Sequence, residues 1–507
     1  MPSTPFTEAN AAASRRRYRI RKFLAVALFV FALLLTVIIG FYLVERSRAR
    51  AQWEVYRGQA RQHDVRLTLQ EYVPPPVPDA ENFAAIPIFQ DTFRAAAEHR
   101  PIPNPFALPE FGHAPPFSDA ALGKSLDLAS WQKFFVETKL LKSAGEDPAQ
   151  DVLLALRHYE AALEQLREAG QRPVCRFPVN WDDGVMAMLP HLQLLLGASK
   201  LYALRMGAHL ALGDGAAAYE DFRAGLRLHA ALLHEPSLVT GLVRLVLLGA
   251  MENAVWDGLA KRQWTDAELR RIIDDLAAPR LFAEYEFAIG SERAFDNLVH
   301  EQLRSTDLAK LREVSAIADN GAPTNGRKTD WATAMLFLYP SGWTYRSQVR
   351  SNHYIDEMLA RVSVEPPRIF PERAAEARPG ATVGRLERWS YLPFLLLAPA
   401  MEEMERTYGH SQTLLDETRL GCALERHRLA QRPYPPSLDA LVPAELSALP
   451  HDVMNGELFH YQLDTDGGYR IWSVGWDLRD DGGKTDPKRN ARQQLDWVWN
   501  MPAPAKP

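Results

Sequence analysis

The chain has 507 residues, a formal net charge of −5 at pH 7 and two cysteines. Its length is enough for two or three domains. The first 22 residues hold six basic side chains and one acid, so the remainder carries a charge of about −10. A surface without concentrated positive charge does not attract the phosphate groups of nucleic acids, so this net negative charge argues against a nucleic-acid partner.

Residues 23–44 form an uncharged apolar run in which sixteen of the 22 side chains are Leu, Ile, Val or Phe. At about 1.5 Å per residue, a helix of this length spans roughly 33 Å, which is enough for a hydrocarbon core of about 30 Å. A buried helix of a soluble protein would carry a polar stripe, and this run has none. The run therefore predicts a transmembrane helix.

The charges on either side of the span predict its orientation. Five arginines and Lys22 precede it, and three arginines and Glu45 follow closely. The positive-inside rule keeps the basic tail, residues 1–22, in the cytoplasm and sends the body across. A cleaved signal peptide would have an apolar core of about 7–15 residues, so 22 residues favour an uncleaved signal-anchor. We therefore expect a single-pass protein of the cytoplasmic (inner) membrane with a periplasmic body.

The segment after the span is expected to begin with a charged juxtamembrane helix over residues 45–72. Residues 73–124 form a proline-rich segment, with eleven prolines between Pro74 and Pro116. Proline blocks helix interiors, so this segment is either a stiff spacer or irregular chain lying across the helical body. The apolar insert at residues 83–89 favours the second alternative for its middle part.

Residues 125–398 are predicted to be an α-helical body, because apolar side chains recur there at three- and four-residue spacing. Thr265 and Glu268 form a capping box that should begin a helix. Residues 201–229 resemble one tetratricopeptide unit, which would make the body solenoid-like, but the sequence shows no convincing second copy and an ordinary helical hairpin is the favoured interpretation. The predicted helices cover 126–141, 152–166, 185–212, 216–233, 237–259, 266–277, 331–338 and 342–362, with loops at 306–330 and 363–384.

Residues 399–507 are predicted to be a long helix, ending near Gln431, followed by a small α+β module. Residues 458–463 and 468–474 alternate well enough to be strands, and the Asp-Thr-Asp-Gly sequence between them is typical of a hairpin turn. The expected fold class is therefore mainly α, with an N-terminal transmembrane helix, a helical body and a C-terminal module containing a β-hairpin.

Three motifs of this module carry a resemblance: the Tyr434-Pro435-Pro436 turn, the strand end Trp472-Ser473-Val474-Gly475-Trp476-Asp477, and the loop Asp480-Asp481-Gly482-Gly483. Together they resemble the globular head of the major pseudopilin of type II secretion systems, over about 90 residues. Leu478 stands where that family usually has glycine, and the chain has no prepilin leader. The whole chain also resembles a group of uncharacterised bacterial single-pass membrane-anchored proteins, a likeness that brings no function with it.

The pseudopilin resemblance implies a calcium-binding loop. Calcium takes six to eight oxygen ligands, and Asp477, Asp480 and Asp481 could supply carboxylates beside freed backbone carbonyls. The alternative is a solvated turn without an ion. No other cofactor is predicted.

The sequence contains several weak catalytic patterns. Ser130 and Lys133 match Ser-x-x-Lys, and Gly409-His410-Ser411 begins like a nucleophile elbow but lies in a helical pattern. The remaining candidates are Asp182 and Asp183 in a loop, the helical series Glu292, Asp296 and His300, and the pair Cys175 and Cys422, whose disulfide bonding stays open.

These observations favour a membrane-anchored interaction or scaffold protein of the cell envelope over an enzyme. Its expected partners are the lipid bilayer and envelope or secretion-system proteins. The alternative is an envelope hydrolase with a dispersed active site. A cleft gathering Asp182, Asp183, Glu292 or His300 would favour the hydrolase, and an exposed apolar groove would favour the interaction protein.

Overall fold

The structure is a computed structural model that describes residues 5–109, 113–305, 339–374, 391–431, 433–486 and 495–503. The predictions for residues 306–330 and 331–338 lie outside the described residues. The chain divides into two compact units. Unit 1 comprises Met1–Val65, Val299–Ser351 and Val383–Leu396, and unit 2 comprises Arg66–Leu298, Asn352–Thr382 and Leu397–Pro507.

Helix α1, Pro5–Gln62, contains the predicted span and continues past it without a break. Its most apolar window has a mean hydropathy of 3.0, and none of that window is buried. Such a surface is unfavourable in water and is compatible with a membrane anchor. The helix ends at Gln62, so the juxtamembrane helix is ten residues shorter than the sequence predicts. Beyond the span, one stripe of α1 is buried: Ala49, Trp53, Tyr56 and Ala60.

Within unit 1, α1 contacts the first turn of helix α11, Ser341–Leu359. Arg346 forms an ion pair with Glu45, the residue that follows the span. Gly342 lies so close to α1 that a Cβ atom there would be 2.8 Å from the backbone nitrogen of Arg46. A residue with a side chain would therefore separate the two helices.

Unit 2 confirms the mainly helical body. Short polar side chains begin several helices as the sequence predicts: Asp127 accepts hydrogen bonds from two backbone N–H groups, and Thr265 and Glu268 form a capping box. The helices that begin in unit 2 are α2 (Pro87–Ala97), α3 (Leu128–Glu137), α4 (Pro148–Leu156), α5 (Glu160–Ala169), α6 (Pro190–Ala211), α7 (Gly215–Ala231), α8 (Leu238–Ala260), α9 (Asp266–Asp275) and α10 (Leu281–Leu303). Helix α12, Leu392–Gln431, completes the set.

Helices α6, α7 and α8 form the centre of the body. Small residues let them pack closely: a Cβ on Gly225 of α7 would be 2.0 Å from the sulfur of Met251 on α8. Helix α8 is also long and apolar enough to span a membrane, with a mean hydropathy of 1.6, but 56% of that window is buried inside the protein. Burial on this scale is typical of a core helix.

The middle of the proline-rich segment lies across the helical body. Phe83 and Phe89 are fully buried, and the ring of Phe89 contacts that of Phe177 at 5.0 Å between centroids. Phe177 in turn stacks on His191 of α6 at 4.0 Å. Burial of such aromatic rings contributes a large apolar area. The stiff-spacer alternative is therefore wrong for this part of the segment.

A three-stranded antiparallel sheet follows α12: β3 (His460–Leu463), β4 (Tyr469–Ser473) and β5 (Trp497–Met501), in the order β3-β4-β5. The sequence analysis did not predict β5 as a strand. Its Asn500 donates through Nδ2 to the carbonyl of Ala121 at 2.6 Å, and its carbonyl accepts from Trp256 Nε1 at 2.8 Å. The last strand is thus bonded to α8 and to the proline-rich segment.

A second, two-stranded sheet interrupts the predicted loop at 363–384. Strand β1, Val362–Val364, pairs antiparallel with β2, Pro367–Ile369. The prolines of this segment suggested a loop without strands. One of them, Pro367, is the first residue of β2, a position where its missing N–H is tolerated.

Candidate functional site

Two cavities of unit 2 have walls formed by different faces of α12. The first, which we call the apolar cavity, has a volume of about 670 Å³ and lies beside α6, α8 and α12. Apolar atoms form most of its surface, and Val246 in its wall is 54% exposed. Its lining includes Leu242, Leu245, Val246, Ala250, Ala254 and Leu414.

The second cavity, which we call the arginine cavity, has a volume of about 530 Å³. Arg280, Arg368 and Arg419 all line it, together with Asp416 and Gln412. The Nε atoms of Arg368 and Arg419 are buried and have no hydrogen-bond partner among the described residues. Two of these guanidinium groups already pair with carboxylates of the same cavity, Arg280 with Glu365 at 3.0 Å and Arg419 with Asp416 at 3.5 Å.

Four buried carboxyl groups lie close to α12: Glu252 of α8, Asp416 and Glu417 of α12, and Asp452. Neither oxygen of Glu252 has a hydrogen-bond partner within the described part of the chain, and Oε1 of Glu417 also has none. Of the four, Asp416 lines the arginine cavity. Sequence reasoning missed this cluster, although an acid such as Glu252 within the long apolar pattern of α8 was a usable signal.

Burial raises the pKa of each of these carboxyl groups. Burial, with the nearby charges of Asp452, Asp416 and Glu252, raises the pKa of Glu417 well above its ordinary value. Burial, with Asp416, does the same to the pKa of Glu252. The pKa of Asp416 rises only to about 6, because Gln412 donates a hydrogen bond at 3.0 Å and Arg419 lies 3.5 Å away. Burial therefore favours the protonated forms of Glu252 and Glu417.

Asp452 holds its loop against the end of β4. It accepts hydrogen bonds from Ser473 Oγ at 2.8 Å and from the backbone N–H of Val474 at 3.0 Å. Burial raises its pKa, and these hydrogen bonds oppose the rise. Across the described ranges, no three His, Cys, Asp or Glu side chains are arranged to hold a metal ion.

The predicted calcium ligands bond mostly to their own loop. Asp480 Oδ1 accepts from Trp472 Nε1 and from the Gly482 N–H, both at 2.9 Å, and these bonds lower its pKa. Asp477 Oδ1 accepts from the Arg479 N–H at 3.1 Å. The backbone N–H of Asp481 donates a hydrogen bond to Oδ1 of Asp496 at 3.2 Å. Calcium binding by Asp477, Asp480 and Asp481 stays a prediction.

Asp496, which the sequence analysis did not single out, organises this loop. Its carboxylate is fully buried and accepts from the N–H groups of Asp481 and Gly483, at 3.1 Å and 2.8 Å from Oδ2. A carboxylate that accepts several backbone N–H groups satisfies donors that would otherwise be costly to bury. The acidic loop therefore has a buried carboxyl group at its centre, and burial raises the pKa of that group.

Leu478 adopts a left-handed backbone conformation, with φ of 60°, where the resembled family usually has glycine. This conformation costs a residue with a Cβ about 1–2 kcal/mol. We expect Leu478→Gly to raise the free energy of unfolding by about 0.5–1 kcal/mol, because the side chain is 39% exposed and loses little packing. Leu463→Gly is the control: this residue is 41% exposed in strand β3 and should lose stability. Equal losses in thermal unfolding would contradict the prediction.

The other sequence candidates do not gather at one site. Asp182 and Asp183 are exposed, and neither lines the apolar or the arginine cavity. In unit 2, burial and the charge of Asp296 raise the pKa of Glu292 to about 7. In unit 1, His300 Nε2 lies 3.0 Å from Ser347 Oγ. Neither of these two cavities is lined by Asp182, Asp183, Glu292 or His300, so neither is the cleft that would have favoured a hydrolase.

The serine patterns and cysteines also have structural explanations. Ser130 donates to Asp127 at 2.6 Å, whereas Lys133 lies 3.8 Å from Glu137. His410 and Ser411 are inside α12 and line the apolar cavity. Cys175 and Cys422 are both free, and burial raises the pKa of each thiol, so neither is an activated nucleophile.

Comparisons with known proteins do not add a family to this description. No protein-family model, no curated protein and no solved structure matches the chain.

Proposed function

We propose that this chain is a membrane-anchored interaction or scaffold protein of the cell envelope. Its anchor is α1, whose span is unburied and uncharged. The basic tail before the span supports a cytoplasmic N-terminus and a periplasmic body, with the cytoplasmic membrane as its location. Its proposed partners are the lipid bilayer and other envelope proteins, and the likeness to a pseudopilin head extends these to secretion-system proteins by analogy.

The apolar cavity is the observation that carries the interaction proposal. Ligand and partner sites are concave, largely apolar and commonly about 300–1,000 Å³ in volume. The aliphatic wall on α8 selects for aliphatic side chains, so the occupant we propose is a segment of another envelope protein presenting Leu, Ile or Val. Seven of the 18 lining residues are polar, among them Lys200 and Ser411, and these can orient that segment.

Photo-crosslinking from α8 tests this proposal. A photoreactive amino acid placed at Val246, in the cavity, should give a discrete adduct in intact cells. The matched control is Val239, which is on the same helix, equally exposed at 54%, and outside the lining of the cavity. The adduct should be absent at Val239, and Leu414→Asp should remove it at Val246, because a charge in an apolar site is unfavourable.

Two results would contradict the proposal. Identical adducts at Val246 and Val239 would show nonspecific proximity on the surface of α8. An adduct at Val246 that survives Leu414→Asp would show that the partner does not occupy the cavity. For the second result, the melting temperature of the Leu414→Asp variant must match that of the parent protein, which shows that the adduct was formed by a folded protein.

A further inference from the structure

The first turn of α11 lies beside the end of the membrane span. Gly342 is in backbone contact with Glu45 and Arg46, and the span ends one residue earlier, at Val44. The ion pair between Arg346 and Glu45 holds the two helices together at this level. The polar region of a bilayer extends about 5–7 Å beyond the hydrocarbon core on each side. Residues level with Glu45 and Arg46 therefore fall within the headgroup layer.

The side chains at this level are those that headgroup layers favour. Tyr339 and Trp343 form an edge-to-face pair with ring centroids 5.7 Å apart, and Trp343 is half-buried. Tyr42 lies at the corresponding end of α1 and is 41% exposed. Tyr and Trp concentrate at membrane interfaces because their rings are apolar while an O–H or N–H group reaches water. Arg46 is exposed beside them, where a phosphate group can pair with it.

We propose that the turn Tyr339–Trp343 is a second membrane contact, inserted among the phospholipid headgroups on the extracytoplasmic side. The protein then touches the bilayer both through the span and through this aromatic turn. This inference rests on the proposed membrane anchor. It goes beyond that anchor because residues 339–343 are some 300 positions from the span in the sequence, and their proximity to its end is seen only in the structure.

Depth measurements on the full chain in lipid nanodiscs test the proposal. The parent carries Cys175→Ser and Cys422→Ala, and one nitroxide label is attached at Phe31→Cys, Ser341→Cys or Val55→Cys. Phe31 lies inside the span and is 64% exposed. Val55 is 61% exposed and lies about 15 Å further along α1 than Glu45, beyond the headgroups. The accessibility of each label to oxygen and to a nickel chelate reports its depth.

We expect the ratio of oxygen to nickel accessibility to fall from Phe31 through Ser341 to Val55. Adding Trp343→Ser to the Ser341 label should lower its ratio by about twofold, because the interfacial ring is lost. A Ser341 label that matches Val55, while Phe31 reports lipid, would overturn the second contact and leave the anchor intact. A Phe31 label that also matches Val55 would overturn the anchor itself.

Discussion

Replacing Glu417 with glutamine should raise the melting temperature of the protein at about pH 7.5 and have little effect at about pH 5. The buried carboxyl of Glu417 holds its proton in the folded state, whereas the unfolded chain releases it above its ordinary pKa of 4.5. The unfolded state therefore binds fewer protons between pH 4.5 and the raised pKa. Across this window the free energy of unfolding falls as pH rises, by up to about 1.4 kcal/mol per pH unit for each such group.

Glutamine removes this dependence because it has no proton to release. At about pH 7.5 we expect a higher melting temperature for Glu417→Gln than for the parent protein, and Glu252→Gln should act in the same direction. Glu403→Gln is the control: this glutamate is on the same helix, is 55% exposed and forms only a surface ion pair with Arg406 at 3.9 Å. Thermal unfolding of the detergent-solubilised full chain at both pH values measures the effect. A melting temperature of Glu417→Gln that shifts equally at both would contradict the raised pKa.

Gly475→Ala should cost about 3 kcal/mol or more of stability, the largest loss we expect from one small substitution. The residue has φ of 65°, and a Cβ atom there would lie 1.9 Å from the carbonyl oxygen of Leu495. That neighbour is backbone next to Asp496, so it cannot turn away as a flexible side chain would. The substitution should displace the segment that carries Asp496 away from the acidic loop.

Gly482→Ala separates the two causes of this loss. Gly482 also has a left-handed backbone, with φ of 77°, but no described atom lies within 4 Å of the Cβ position. We therefore expect a loss of about 1 kcal/mol from backbone conformation alone. Chemical denaturation of both full-length variants measures the difference. Similar losses for the two would mean that the approach of Leu495 to Gly475 is not tight in solution.

The sequence predicts the helical body because its signals are local. The three- and four-residue spacing of apolar side chains and the capping box at Thr265 lie within the elements that they define. The strand β5 was missed because Trp497-Val498-Trp499 becomes a strand only by pairing with β4, about 25 residues away. Strands β1 and β2 were missed because the prolines beside them are also typical of loops.

The candidate site was less predictable for a related reason. Periodicity shows that α12 has buried faces, but it does not show that Glu417 and Asp452 approach one another from distant parts of the chain. The calcium prediction treated the aspartates of the acidic loop as available ligands. In the structure Asp480 already accepts two hydrogen bonds, and Asp496, further along the chain, satisfies backbone donors of the same loop.

The bonding of β5 bears on the order in which the chain reaches its folded state. Trp256 lies in the middle of the helical body, yet its indole N–H finds its acceptor only in Asn500, 244 residues later. Asn500 also bonds to Ala121, across 379 residues. Contacts between residues so far apart in the sequence form late in folding, because the chain between them must be ordered first. The contacts that β5 makes with α8 and with the proline-rich segment therefore form only after the chain as far as Asn500 has been synthesised, and until then a chaperone or protease meets a body that lacks them.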